Sequence, residues 1–241
     1  MVHRLLAVSK DAHGDRRLPG WNIGGQRGGQ YGGEEEHHRL VQPIHFDFVD
    51  STAQAIEAGL VGQVDLDILR TQFQPQQYAS YCGVASSVMV LRSLGVSHVS
   101  QDNFFSDATK SIHSRYDTFF GGMTLAQLGG LLHAHGVQAQ VFHAEDSKLE
   151  EFRKRVSQNL KEKDNFVLVN YLRKAIHQKT GGHISPIAAY DNKSDRFLVM
   201  DVAAHKYPPV WVKAEELWKS LNTVDSDSGR SRGYVLVEKT N

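Results

Sequence analysis

The sequence predicts an α+β fold in which helices come first along the chain and an antiparallel sheet follows. Apolar residues recur at helical spacing between positions 82 and 160. From position 166 onward, short apolar runs separated by a polar turn replace this pattern, which is typical of strands. The 241 residues, of which 40% are hydrophobic, suffice for one globular domain or for two lobes that share a core.

The first helix is predicted to begin at Cys82 and to end at Gly95. Its apolar face consists of Val84, Val88 and Leu91, spaced four and three residues apart. A glycine commonly follows the last turn of a helix, because it adopts the left-handed conformation without steric cost. The only cysteine of the chain therefore lies at a predicted helix N-terminus.

Two further helices are predicted from capping boxes. Thr124 is followed by Gln127, and Ser147 is followed by Glu150, each three residues later. In such a pair the hydroxyl accepts from the backbone N–H of the later residue, and the longer side chain accepts from the backbone N–H of the earlier one. Apolar residues at helical spacing follow both pairs, so each pair marks a predicted helix start.

The second half carries the predicted strands. Residues 166–169 form a continuous apolar run, which is typical of a buried strand. Residues 184–190 and 197–200 flank the polar segment 191–194, whose aspartate, asparagine and serine favour a turn. This pattern predicts an antiparallel hairpin, and residues 234–237 are predicted to close the sheet as its last strand.

Charge and composition exclude several classes of function. Lysine plus arginine and aspartate plus glutamate number 27 each, so no broad field attracts the chain to nucleic acid or to anionic lipid. The chain has no apolar run of about 18 residues and no apolar stretch typical of a secretory signal. We therefore expect no nucleic-acid or membrane partner and a cytoplasmic location, or a periplasmic one if a leader has been removed.

The first 45 residues differ in composition from the rest. Residues 1–45 are polar and rich in glycine, and we interpret them as a flexible leader that precedes one domain, residues 46–241. Within the leader, His37 and His38 could bind a metal weakly, although adjacent histidines are usually only solvated. We therefore predict no resident metal site.

Cys82 is the candidate nucleophile. As the only cysteine, it cannot form an internal disulfide or a cysteine-based zinc or iron–sulfur site. A thiol reacts as its thiolate, and a helix N-terminus together with a nearby imidazolium lowers the pKa of a cysteine. An isolated cysteine is more commonly a small buried hydrophobic residue, so the interpretation depends on a partner for the thiol.

His183 is the candidate partner, because it follows two glycines directly before the predicted hairpin, where a substrate backbone has room to approach. Asp201 lies at the far end of the partner strand. Any register that pairs odd-numbered with odd-numbered residues places both side chains on one face, and a three-residue loop of residues 191–193 would set them directly opposite. The carboxylate would then orient the imidazole, unless Asp201 is only a turn residue at the strand end.

An acyl-transfer site also needs donors for the developing oxyanion. Gln76, six residues before Cys82, could supply a side-chain amide, with the backbone N–H of Cys82 as the second donor. Glutamines also stand at positions 72, 74 and 77, so the chemistry alone leaves the choice open. The sequence has no Gly-x-Ser-x-Gly, His-Glu-x-x-His or phosphate-binding glycine motif that favours another mechanism.

Three segments of the chain form an ordered set of motifs: residues 76–86 (QQYASYCGVAS), residues 182–190 (GHISPIAAY) and residues 201–211, which include Lys-Tyr-Pro-Pro-Val-Trp. Together with weaker similarity over residues 70–239, they resemble the catalytic domain of the phytochelatin synthase family. That family is papain-like. The resemblance therefore implies an N-terminal helical lobe that carries the cysteine and a C-terminal antiparallel β lobe that carries the histidine and the aspartate.

The resemblance implies that Cys82 is the nucleophile and that His183 is the acid and base. It also implies that Asp201 is the orienting carboxylate and Gln76 the oxyanion donor. The family cleaves the Cys–Gly bond of glutathione, releases glycine and holds γ-glutamylcysteine as a thioester. The acyl group then passes to water, or to the amine of a second glutathione to give phytochelatin. The implied partners are glutathione and metal–glutathione thiolate, so cadmium or zinc would arrive bound to the substrate. The resemblance implies no tightly bound cofactor. It also implies that the chain assembles as a homodimer.

Two positions depart from the family pattern. Ala204 stands where the family has an arginine shortly after the aspartate, and Arg92 stands where the family tends to have asparagine. No cysteine-rich segment follows Tyr234, so the chain resembles the short bacterial form of the family, in which hydrolysis often leads. We therefore expect deglycination of glutathione to exceed phytochelatin synthesis.

Glutathione carries two carboxylates and an ammonium group, so its site should present fixed cations. The candidates are Arg173, Lys206 and Arg232, because a guanidinium binds a carboxylate through two hydrogen bonds. Each could instead be an ordinary surface charge. By resemblance, Asn170 and Gly182 line the acyl site.

Two other functions stay open at this point. One is a papain-like peptidase that cleaves double-glycine leaders, which also has a glutamine six residues before a Cys-Gly pair but does not explain the Lys-Tyr-Pro-Pro-Val-Trp segment. The other is a protein that only binds glutathione or its metal complex. Reaction of Cys82 with glutathione separates these from an acyltransferase, because only the acyltransferase would retain γ-glutamylcysteine on its sulfur.

Overall fold

A computed structural model describes residues 63–179 and 181–240 of the chain. The interpreted leader, residues 1–45, lies outside the described residues, and so do His37 and His38. The predicted domain boundary at residue 46 falls outside them as well, so the division into a leader and a domain stays a prediction.

The described residues contain six helices and six strands. In chain order the helices are α1 (Gln63–Thr71), α2 (Cys82–Ser93), α3 (Arg115–Gly121), α4 (Leu125–Ala134), α5 (Leu149–Asn159) and α6 (Ala214–Leu221). The strands are β1 (Gln138–His143), β2 (Asn165–Leu172), β3 (Gly182–Asp191), β4 (Arg196–Val199), β5 (Val210–Lys213) and β6 (Gly233–Glu238). None of these helices is long and apolar enough to cross a lipid bilayer.

The six strands form one antiparallel sheet in the order β1-β6-β2-β3-β4-β5. β2 and β3 lie side by side within it, and nearly all of their residues are buried. A strand that is covered on both faces needs apolar residues at successive positions, which explains the continuous run at residues 166–169. The predicted hairpin of β3 and β4 and the predicted last strand β6 are confirmed.

Helices cover both faces of the sheet and divide the core into two clusters. On one face, α1, α2 and α4 pack on sheet residues such as Phe166 and Leu168. On the other face, α5 and α6 pack on residues such as Val167 and Val169. Successive residues of β2 therefore face different clusters, as the two-residue period of a strand requires. The architecture is α+β, as predicted.

The two helices with the clearest local signals are confirmed. α2 begins at Cys82, and the chain turns after it at Gly95, whose φ is 92°. At the start of α4, the Thr124 hydroxyl accepts from the backbone N–H of Gln127, and the Gln127 side chain accepts from the backbone N–H of Thr124. This reciprocal pair satisfies two of the donors that a helix start otherwise leaves unpaired.

The predicted capping box at Ser147 is wrong. α5 begins at Leu149 after the N-cap residue Lys148, and no side chain caps it. The Ser147 hydroxyl instead donates to the carboxylate of Glu151 at 3.0 Å. The N-cap position therefore falls one residue after Ser147, and the serine hydroxyl binds a side chain of the first helical turn and not a backbone N–H.

The sequence pattern does not predict β1, which lies between two helices along the chain and pairs with β6 at the edge of the sheet. All but one of its residues are partly buried or exposed, so it lacks a strong apolar signal. β1 and β6 approach closely at Gly233, where an added Cβ would lie 2.0 Å from the carbonyl oxygen of Phe142. Helices and strands are therefore interleaved and do not follow the strict order that was expected.

Candidate active site

Cys82 is the first residue of α2 and is partly buried. The first turn of this helix contains no acidic residue. The unpaired backbone N–H groups of that turn and the helix dipole therefore favour a negative charge on the sulfur.

β3 offers a free edge beside Cys82. β4 pairs with β3 only between Ile187 and Asp191, so the residues at the start of β3 face α2 instead. The backbone N–H of Ile184 donates to the sulfur of Cys82, and the carbonyl of Ile184 accepts from the Ser86 hydroxyl at 3.0 Å. These two contacts to a single residue fix the start of α2 against β3.

His183 lies between the thiol and a carboxylate. Its ring is hydrogen-bonded to Cys82, and its Nε2 lies 2.9 Å from Oδ1 of Asp201. The N–H direction at Nε2 is off the line to Oδ1, so this contact is an ion pair more than a linear hydrogen bond. The ring is buried and meets the ring of Tyr171 edge to face, with centroids 5.6 Å apart.

Cys82 and His183 shift each other's pKa. Burial alone would raise the pKa of the Cys82 thiol, but the charge and the hydrogen bond of His183 hold this pKa below its ordinary value. Burial alone would lower the pKa of His183, but the Cys82 thiolate and Asp201 raise it above its ordinary value. The pair is therefore stabilised as a thiolate and an imidazolium.

A β-bulge decides whether the histidine and the aspartate can meet. Near the turn, Tyr190 pairs with Phe197, so an even-numbered residue lies opposite an odd-numbered one. If this register continued along the hairpin, the side chains of His183 and Asp201 would lie on opposite faces of the sheet. The bulge then shifts the register, so that Ile187 pairs with Val199 and the required parity is restored. The three-residue loop that would set the two residues directly opposite does not occur: Asp191 pairs with Arg196, and Asp201 lies beyond the end of β4, diagonal to the histidine.

Asp201 is fully buried and has several donors around its carboxylate. Its Oδ1 accepts from the backbone N–H of Ala203 at 2.8 Å, and its Oδ2 accepts from the Tyr171 hydroxyl at 3.3 Å. Arg173 donates to both oxygens, from Nη1 to Oδ2 at 2.6 Å and from Nη2 to Oδ1 at 2.9 Å. Burial alone would raise the pKa of Asp201, but the bonds to His183 and Arg173 hold this pKa well below its usual range. Asp201 therefore stays charged beside the imidazole.

Gln76 lies in the loop that leads to Cys82, and it is buried. Its backbone N–H donates to the carbonyl of Val202, next to Asp201, at 2.9 Å. Its side-chain Nε2 donates to the carbonyls of Tyr78 and Ala79, both at 2.8 Å, while Oε1 has no partner among the described residues. Both amide hydrogens thus hold the loop, and the predicted role of Gln76 as an oxyanion donor stays a prediction.

Arg232 and Gly182 lie side by side. An added Cβ at Gly182 would lie 3.1 Å from Nη2 of Arg232 and 3.3 Å from its Nε. The Arg232 guanidinium is buried, and its Nη1 donates to the carbonyl of Val224 at 2.6 Å and to the hydroxyl of Thr223 at 3.1 Å. Its Nε has no hydrogen-bond partner among the described residues. A buried guanidinium therefore keeps one free donor beside the glycine that precedes His183.

The remaining predicted substrate ligands occupy different environments. Asn170 is buried in β2, opposite Ile184 of β3 and Gly233 of β6. Lys206 is exposed, and its ammonium group forms no ion pair or hydrogen bond within the described part of the chain. The predicted roles of both residues stay predictions. In the same part of the chain, no group of three or more histidine, cysteine, aspartate or glutamate side chains could hold a metal ion.

Sequence reasoning did not identify Ser86 or Tyr171 as residues of the site. Ser86 lies four residues after Cys82, so helical spacing places both on the same side of α2. This spacing was the available signal. Tyr171 has no local signal, because only the pairing of β2 with β3 sets it opposite His183.

An imidazole between a helix-terminal thiol and a buried carboxylate, within an α+β fold, is typical of cysteine enzymes that transfer acyl groups. A family model described as phytochelatin synthase matches residues 52–234 of this chain. The chain belongs to the phytochelatin synthase family, which confirms the resemblance found in its motifs.

Curated relatives of the chain carry consistent names. Glutathione gamma-glutamylcysteinyltransferase 1 of Lotus japonicus is 33% identical, over 83% of this chain and 42% of the relative. The corresponding enzyme 2 of Arabidopsis thaliana is 30% identical, over 84% and 47%, and that of Schizosaccharomyces pombe is 29% identical, over 70% and 42%. The chain thus spans less than half the length of these relatives.

Proposed function

We propose that this chain is a glutathione gamma-glutamylcysteinyltransferase of papain-like architecture, in which a helical lobe carries Cys82 and a β lobe carries His183 and Asp201. The observation that carries this proposal is the hydrogen-bonded Cys82–His183 pair beside the buried carboxylate of Asp201. The names of the relatives supply the substrate, glutathione.

In the first step, the Cys82 thiolate attacks the carbonyl carbon of the Cys–Gly peptide bond of glutathione. The tetrahedral oxyanion needs donors, and we assign these to the backbone N–H of Cys82 and to the side-chain amide of Gln76, once the amide gives up one loop carbonyl. The His183 imidazolium then donates its proton to the glycine nitrogen, the C–N bond breaks, and glycine leaves. A γ-glutamylcysteinyl thioester stays on the sulfur.

In the second step, the now neutral His183 takes a proton from the attacking nucleophile. Attack by water releases γ-glutamylcysteine, and attack by the amine of a second glutathione releases phytochelatin. In both cases the C–S bond breaks and the thiolate returns. We propose water as the main acceptor, because Ala204 and Arg92 replace the residues that the family pattern has at these two positions.

The surrounding residues bind the substrate. We assign a substrate carboxylate to Arg232, whose Nε is the free buried donor beside Gly182. Lys206 adds a second cation at the exposed rim, and Asn170 contacts the acyl group. Cadmium or zinc is then part of the acceptor, which is a thiolate complex of glutathione with the metal. We place this reaction in the cytoplasm.

Product analysis with glutathione tests this function. The wild-type chain should release glycine and γ-glutamylcysteine, and added cadmium should increase the minor product, phytochelatin. Cys82→Ala should release neither. If glycine release persists in Cys82→Ala, the nucleophile lies elsewhere. If the wild type is inert towards glutathione but cleaves a peptide after Gly-Gly, the chain is a leader peptidase, and tight binding without products makes it a binding protein.

A further inference from the structure

Both terminal nitrogens of Arg173 are hydrogen-bonded to protein groups. The guanidinium forms the two-bond fork to Asp201, and its Nη1 also donates to the side chain of Gln178. Its central carbon lies 4.7 Å from the ring centroid of Tyr207, whose hydroxyl accepts from the backbone N–H of Lys179 at 2.7 Å. Only about 6% of the Arg173 side chain is exposed. At the nitrogens that form these bonds, a substrate carboxylate would have to compete with Asp201 and Gln178.

The position of Asp201 depends strongly on this fork. Arg173 and the N–H of Ala203 hold Oδ1 at the position where His183 meets it, and Arg173 also binds Oδ2. The fork fixes the plane of the carboxylate as well as its charge, because two parallel bonds leave it no rotation. Without the fork, a buried carboxylate would lose its strongest partner and would be free to rotate or to take up a proton.

We propose that Arg173 is a positioning residue, which holds Asp201 charged and oriented towards His183 and so sustains the thiolate of Cys82, and that it is not a ligand of glutathione. This inference rests on the proposed function, because it concerns the same reaction. It assigns the Tyr207 ring, within the Lys-Tyr-Pro-Pro-Val-Trp motif, the task of covering the guanidinium. The motif therefore affects catalysis indirectly, because Tyr207 packs on the guanidinium that holds Asp201.

Arg173→Met and Arg173→Lys test the proposal in two assays. The first assay is alkylation of Cys82 by iodoacetamide in the absence of glutathione, measured against pH. Both variants should need a higher pH for half-maximal alkylation, because a misplaced Asp201 supports the His183 imidazolium less well. The second assay is glycine release, in which kcat should fall by about 10- to 100-fold while KM for glutathione stays within about twofold.

Arg153→Met is the matched control. Arg153 forms a similar fork with Asp195 at the far end of the hairpin, with distances of 2.8 Å from Nε and 2.9 Å from Nη2. Arg153→Met should leave the alkylation profile and kcat unchanged. Since lysine keeps the charge and much of the length of the side chain, Arg173→Lys supplies the answer if Arg173→Met does not fold.

The opposite pattern overturns the proposal. If the Arg173 variants raise KM for glutathione while kcat and the alkylation profile stay as in the wild type, Arg173 is a substrate ligand. Unchanged values in both assays overturn it as well. A wild type that releases no glycine refutes the proposed function, and the alkylation profile then still decides the role of Arg173, since that assay contains no glutathione.

Discussion

The hydroxyl of Ser86 donates to the carbonyl of Ile184 across 3.0 Å, within the buried contact between α2 and β3. Ser86 lies about one helical turn after Cys82, and Ile184 directly follows His183. The bond therefore joins the helix of the thiol to the strand of the imidazole. It helps to set the distance on which the thiolate–imidazolium pair depends.

Ser86→Ala should weaken both stability and activity. The Ile184 carbonyl would lose its buried donor, at a cost of about 1–3 kcal/mol in the free energy of unfolding. Because α2 could then shift relative to β3, we expect glycine release to fall by about tenfold or more. Chemical denaturation and product analysis measure the two effects. Ser87→Ala is the matched control, since the buried Ser87 hydroxyl has no partner among the described residues; equal losses in the two variants would contradict the assignment.

The Cys82–His183 pair predicts the pH dependence of the reaction. Because its pKa is lowered, Cys82 should be alkylated rapidly at pH values below the ordinary thiol pKa of about 8.5. Glycine release should rise with pH through the lowered pKa of Cys82 and fall through the raised pKa of His183, since the imidazolium must protonate the leaving nitrogen. Stopped-time assays across pH measure both curves. A wild-type alkylation profile centred on the ordinary thiol value would contradict the ion pair.

Asp201→Asn should impair turnover severely without removing the nucleophile. An asparagine cannot stabilise the imidazolium and can favour the wrong imidazole tautomer, so we expect a loss in kcat of up to about 10⁴-fold. The alkylation profile of Cys82 should shift to higher pH in parallel. Near wild-type kcat in a folded Asp201→Asn protein would mean that the carboxylate does not orient His183.

Gly182→Ala tests whether Arg232 binds the substrate. The added methyl group would lie 3.1 Å from Nη2 of Arg232, so the guanidinium must move by a few tenths of an ångström. We expect KM for glutathione to rise several-fold with a smaller change in kcat and little change in stability. Gly121→Ala is the control, because an added Cβ there meets nothing within 4 Å. A fall in kcat at unchanged KM would show that Gly182 acts on the chemical step instead.

Asp65 predicts a pH-dependent stability unrelated to catalysis. It is buried in α1, neither carboxylate oxygen has a partner among the described residues, and burial raises its pKa to about 8. The folded chain therefore holds a proton that the unfolded chain releases above its ordinary pKa of 3.8, so this group lowers the free energy of unfolding as pH rises from about 4 to about 8. Asp65→Asn cannot ionise.

The stability gain of Asp65→Asn over the wild type should therefore grow with pH by about 1.4 kcal/mol per pH unit between about pH 4 and about pH 8, to about 5 kcal/mol in all. Denaturant titrations at acidic and at mildly alkaline pH measure this gain. Asp67→Asn, at an exposed position of the same helix, should show no such trend. A gain that does not change with pH would mean that Asp65 ionises normally in the folded chain.

Most elements with strong local signals could be predicted from the sequence, including the hairpin of β3 and β4 and the strand β6, whereas the register of the hairpin and the edge strand could not. The start of α2 at Cys82 and the capping box at Thr124 follow from spacing and capping residues alone. The bulge that restores the parity of the hairpin has no local signal, because it depends on how β3 and β4 pack between two layers of helices. β1 is missed for a similar reason, since an edge strand needs few apolar residues.

The candidate site shows the same division. The sequence identifies three candidate residues, because each has a reactive or ionisable side chain at the end of a predicted element: Cys82, His183 and Asp201. The fork of Arg173 could not be foreseen, because a free arginine and one bound to a buried carboxylate look identical in sequence. The same holds for Gln76, whose amide holds its own loop.

The most direct test of the central claim is mass spectrometry of the intact chain and of the Cys82 peptide after brief exposure to glutathione and rapid acid quenching. The proposed function predicts an adduct with the mass of a γ-glutamylcysteinyl group on Cys82. The adduct should be absent from Cys82→Ala. In Asp201→Asn, which turns over slowly, the adduct should persist longer than in the wild type. Glycine release by the wild type without any adduct on Cys82, under conditions that trap thioesters, would contradict it.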